Sequence, residues 1–95
     1  MYELKTTFWM DFSIADQFGT EAIKDTYKRA FNEWKSDVVY LTELTMVLNW
    51  KIFAHWETGN NEYAEAYDTL WRKTDEYCMK HLKGKDLDYY IRITD

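Results

Sequence analysis

VVYLTELTMVLNWKIFAHWE, residues 38–57, is the stretch that decides the fold. As a helix it places Leu41, Leu44, Val47, Leu48, Trp50, Ile52, Phe53 and Trp56 almost all round its surface and leaves only a narrow polar strip. A helix of that kind belongs in the middle of a structure, covered by others. Asp37 stands before it as an N-cap, and Gly59-Asn60-Asn61, the strongest breaker in the chain, ends it.

Upstream, Thr20 is a good N-cap, and Ile23, Tyr27, Ala30, Phe31 and Trp34 recur at the spacing of an amphipathic helix. Its outer face carries Lys24, Asp25, Lys28, Arg29 and Lys35. Downstream, a third helix is predicted over about Glu62 to Lys83, burying Tyr63, Tyr67, Leu70, Thr74, Tyr77, Cys78 and Leu82. Glu62, Glu65, Asp68, Arg72, Lys73, Asp75 and Glu76 face solvent. Acids dominate its first half and Lys80 and Lys83 its end, which suits the helix dipole. Lys83-Gly84-Lys85 stops it.

The two ends of the chain carry a different pattern. Thr6 to Phe12 (TTFWMDF) is rich in β-branched and aromatic residues, and Tyr2 and Leu4 extend an alternation before it. Leu87, Tyr89, Ile91 and Ile93 alternate with Asp88, Tyr90, Arg92 and Thr94. Period two with such residues predicts strands that pair as a ribbon lying on the helices. A helical reading of Phe8 to Phe18 stays open, because Phe8, Phe12, Ala15 and Phe18 also share one helical stripe. Ser13 and Asp16 resemble a shortened capping box, and Gly19 ends that turn. The expected fold is a mainly α single domain, residues 1–95. It has three long helices, the central one most buried, and a short two-stranded β ribbon from the N- and C-termini.

Composition narrows the function classes. Hydrophobic residues make up 46% of the chain and charged residues 31%, as in a globular rather than a disordered chain. A net charge of -5 argues against direct binding to nucleic acid, which depends on Lys and Arg neutralising phosphates. It suits the reverse role, in which carboxylates occupy a basic groove. No stretch is apolar for long enough to span a membrane. The single Cys78 forms no internal disulfide, and with no leader-like segment the expected location is the cytoplasm.

No chemistry-bearing motif stands out. Neither His55 nor His81 has a carboxylate three residues before it, and no HExxH or CxxC occurs. Both histidines sit in last turns of helices, where a cation is favoured. Cys78 has only His81 nearby and reads as a buried structural cysteine. The pairs Asp11/Asp16, Glu62/Glu65, Asp75/Glu76 and Asp86/Asp88 would serve a hydrolase only by converging in a pocket. No catalytic residue, metal or cofactor is expected.

The aromatic load is more informative. Eighteen of 95 residues are Phe, Trp or Tyr, more than a small core needs, so some rings should lie on the surface. Trp34, Trp50 and Trp71 fall with other apolar residues and are expected in the core. Trp9, Trp56 and Tyr90 are the expected exposed rings.

The segments TTFWMDFSIADQFG, AIKDTYKRAFNEW and YLTELTMVLNWKI resemble a group of small proteins of phages and integrative mobile elements of gut Firmicutes. The resemblance runs over nearly the whole chain and brings no assigned activity, cofactor or catalytic residue. It implies an accessory protein that binds and inhibits or redirects a larger host machine, a defence nuclease being one version. The expected function is therefore a non-enzymatic protein-binding module. Its partner surface is Glu62, Glu65, Asp68 and Trp56, with Trp9 and Tyr90, and its partner a basic nucleic-acid-binding host protein. The alternatives are a homodimer or larger assembly and, behind it, a small hydrolase or metal enzyme.

Overall fold

The computed structural model describes residues 3–95. Five helices follow one another: α1 Phe8–Ala15, α2 Thr20–Trp34, α3 Val38–Glu57, α4 Asn61–His81 and α5 Gly84–Thr94. Asp37 caps α3 by accepting from the backbone N–H groups of Val39 at 3.0 Å and Tyr40 at 3.2 Å. Leu44, Val47, Leu48 and Ile52 of α3 meet Ile23 and Tyr27 of α2 and Tyr67 and Leu70 of α4 in the main core. Phe8, Phe12 and Ala15 close that core from α1. A smaller core joins Leu41, Cys78 and Tyr90, and fixes α5 against α3 and α4. Among the described residues no helix is long and apolar enough to cross a membrane.

Both terminal expectations are corrected. Among the described residues there are five helices rather than three and no strand, and α1 and α5 stand where the β ribbon was expected. Tyr2, the outermost residue of the supposed first strand, lies outside the described residues. Phe8, Phe12 and Ala15 recur at helical spacing, and it is this stripe that is buried. The β-forming residue types around it are overridden, because strand propensity expresses itself only where a partner strand and a pleated surface exist.

The chain enters α1 through a buried carboxylate. Glu43 of α3 is fully buried and accepts the backbone N–H groups of Lys5 and Thr6, each at 2.7 Å, and the Thr6 hydroxyl. With its backbone donors satisfied by a side chain, this segment needs no neighbouring strand. At the other end, Leu87, Tyr90 and Thr94 share one face of a helix, whereas the alternation set Leu87 opposite Tyr90 and Thr94. Tyr90 is 1% exposed, and its phenol donates to Asp75 of α4 at 2.6 Å. Lys83-Gly84-Lys85 both ends α4 and opens α5. Gly19, at φ 109°, turns the chain from α1 into α2 through a conformation that residues with a Cβ rarely adopt.

Candidate functional site

Two features of α1 and α3 stand out from the core: a polar network beneath α1 and a ridge of rings beside it. The network centres on Asp16, the residue that closes α1. Its Oδ2 accepts from Lys51 Nζ at 3.0 Å and lies 3.1 Å from His55 Nε2. Its Oδ1 accepts from the Tyr67 hydroxyl at 2.6 Å. Lys51 also donates to the Ser13 hydroxyl at 2.7 Å, and that hydroxyl donates to the Trp9 carbonyl at 2.7 Å. The His55 ring stacks on Tyr67, with centroids 5.4 Å apart and planes 11° from parallel.

Burial makes this network consequential. The Lys51 side chain is 6% exposed, and an isolated ammonium so deep would be costly. Asp16 and Ser13 supply its partners, and the amine sits 4.2 Å from the centre of the Trp9 ring. Burial first, then the Asp16 carboxylate, pushes the Tyr67 phenol far above its ordinary value, so it serves as a donor. As arranged, the group fastens α1 to α3 and α4, and the Ser13 proton is committed to a carbonyl. Among the described residues no three His, Cys, Asp or Glu side chains gather as metal ligands would.

Beside the network, rings line the outer surface. Trp9 of α1 meets Trp50 of α3 edge to face, centroids 6.4 Å apart, and Phe53 meets Trp56 the same way at 5.9 Å. All four rings are exposed, Trp56 most at 57%. Trp50 and Phe53 follow at a helical spacing of three, so the rings form one ridge across two helices.

The predicted site residues divide. Trp9 and Trp56 belong to the ridge. Glu62 and Glu65 are exposed at the start of α4, just after the turn that follows Trp56, and neither forms an ion pair. Asp68 is half-buried and accepts from Arg72 at 2.8 Å. Tyr90 is corrected: it is an anchor of the second core, because α5 is a helix and turns this ring inward. Trp50, expected in the core, is exposed, while Trp34 and Trp71 pack against the core as expected.

Sequence reasoning missed the network and half the ridge. Lys51 and His55 sit four residues apart in an otherwise apolar helix, and such a pair needs a buried acceptor; that was the available signal. His55 is accordingly a network member rather than a helix-end surface residue. Comparison with protein-family models, with curated proteins and with solved structures returns no match.

Proposed function

We propose that this chain is a non-enzymatic protein-binding module that docks through the ridge Trp9–Trp50–Phe53–Trp56. The observation that carries the proposal is the exposure of these four rings as two edge-to-face pairs, one joining α1 to α3 and one on the next turn of α3. Rings lose little side-chain entropy on binding and dominate interface energetics when they are placed together. The Asp16 network holds α1 against α3 and so keeps the two halves of the ridge in register.

Charge at the end of the ridge points to a basic partner. Glu57 follows Trp56 directly, Glu62 and Glu65 open α4 after the turn, and all three are exposed with no ion pair engaging them. A partner with Lys or Arg around an apolar pocket would satisfy both features, and electrostatic attraction would speed encounter. In the phage or mobile-element setting that the resemblance implies, that partner is a cytoplasmic, nucleic-acid-binding protein of the host.

The test is capture from bacterial host lysate by tagged wild type and by two variants, with thermal melts to verify folding. One variant is Phe53→Glu/Trp56→Glu; the other is Glu62→Lys/Glu65→Lys/Asp68→Lys. A protein held by wild type and lost from the ridge variant supports the proposal, and weakening by the acidic variant supports a basic partner. Identical capture by all three chains removes the ridge as the docking face.

A further inference from the structure

The flank of α1 turned away from the ridge forms one wall of a groove of about 780 Å3, and α2 forms the other. Ala15, Ala22, Thr26 and Ala30 line it with small side chains. Ile14 and Phe18 stand on its α1 side, Phe18 75% exposed. On its α2 side are Asp25, Arg29 and Glu33, one helical turn apart and all exposed.

That spacing lets an arginine pair with an acid on its own helix, as Arg72 does with Asp68. Arg29 has an acid four residues to either side and pairs with neither. The α2 edge therefore presents negative, positive, negative to whatever enters the groove. The complementary order at the same spacing occurs on α4, where Arg72, Glu76 and Lys80 are all exposed. Beside them is Met79, 52% exposed, the one large apolar side chain that α4 leaves exposed.

We infer that the groove receives α4 of a second copy of this chain. In antiparallel register Lys80 meets Asp25, Glu76 meets Arg29, and Arg72, which already holds Asp68 through its Nε, turns the rest of its guanidinium to Glu33. Met79 then lies toward the end of the groove where Ile14 and Phe18 stand. Exposed ion pairs alone contribute little; Met79 between Ile14 and Phe18 supplies apolar burial, and the charges select register and partner. Groove and α4 face are different surfaces, so the contact is heterologous and each copy offers one surface to each of two neighbours. The ridge stays free, and the assembly displays it in several copies, which raises avidity for a multivalent target. The inference stands on residues separate from the ridge, so either can fail alone.

The experiment is light scattering on purified protein across a wide concentration range at low and high salt. Wild type should gain mass with concentration at low salt and lose it at high salt. Arg29→Glu makes the groove edge wholly negative and Glu76→Arg makes the α4 face wholly positive. Each alone should weaken self-association by about tenfold or more. Mixed together, they should associate again and gain mass as wild type does, because the two altered surfaces match each other and the two unaltered surfaces keep the wild-type pairing. Circular dichroism melts check that both variants fold. Wild type monomeric throughout at low salt, self-association indifferent to both variants, or a mixture that does not associate would each overturn the inference.

Discussion

Asp16 accepts a 2.6 Å hydrogen bond from the hydroxyl of Tyr67, joining the end of α1 to the second turn of α4 across 51 residues of chain. The same carboxylate takes the buried Lys51 ammonium and lies against His55. One side chain therefore holds three helices together. The ridge depends on it, since Trp9 comes from α1 and the other three rings from α3.

Replacing Asp16 with Ala should cost about 3 kcal/mol, because the ammonium of Lys51 is left buried with only a hydroxyl for a partner. Urea denaturation monitored by circular dichroism gives the value. The second change Lys51→Met should recover much of the loss, since it removes the stranded charge and keeps the volume. A loss below 1 kcal/mol would mean that water reaches Lys51 and the network is no fastener.

Glu43 carries a comparable responsibility at the start of α1. It accepts from the Lys5 and Thr6 amides and the Thr6 hydroxyl while fully buried. Glu43→Ala should cost about 2 kcal/mol and speed hydrogen exchange at those two amides above the rest of the chain. Glu43→Gln should recover little, since its NH2 would face a backbone donor. Recovery close to wild type would show that a single acceptor oxygen is enough there.

These two carboxylates show where the sequence was legible and where it was not. The periodicity of residues 20–34, 38–57 and 62–81 is long enough to distinguish helix from strand, and Asp37 marks its boundary as a cap should. The terminal segments are short, and FWMDF and LDYYIRIT fit period 2 and period 3.6 alike. What decided them is tertiary: an acid 37 residues away from Thr6 satisfies its backbone, and Asp75 receives the phenol of Tyr90. The Asp16 network joins residues 35 to 51 apart, and spacing along the chain does not encode such a meeting. The acid pairing of Asp11 with Asp16 dissolves for the same reason, since Asp11 accepts from Thr7 at the surface instead.

Stability should fall at alkaline pH. Burial, followed by their hydrogen-bonded acids, raises Tyr67 and Tyr90; burial also raises Tyr27, and pushes the Cys78 thiol from 9.0 up to about 11. Each group keeps its proton in the folded chain to a higher pH than in the unfolded chain. The stabilisation is thus complete below the unfolded value, and it is lost above about pH 9 for Cys78 and about pH 10 for the tyrosines. Each titrating group steepens the decline by up to about 1.4 kcal/mol per pH unit. Urea stability measured from neutral to alkaline pH should show this slope, and Tyr67→Phe should flatten it above pH 10. An unchanged slope would mean that Tyr67 ionises inside the folded chain.

The second core makes Cys78 a reporter for α5. Leu41 and Tyr90 cover the thiol, Cys78 is fully buried, and its raised pKa leaves little thiolate at neutral pH. A disulfide reagent such as DTNB should therefore react with the native chain only as fast as the core opens. Tyr90→Ala removes a ring that is 1% exposed and strands the carboxylate of Asp75, at a cost of about 3 to 5 kcal/mol. The reaction should accelerate well before the helical signal of α2 to α4 is lost, because α5 opens while the main core stays closed. Tyr90→Phe keeps the ring and loses only the hydrogen bond, so it should react almost as slowly as wild type. Fast reaction in Tyr90→Phe would place the barrier in the bond to Asp75, and slow reaction in Tyr90→Ala would mean that something other than α5 covers Cys78.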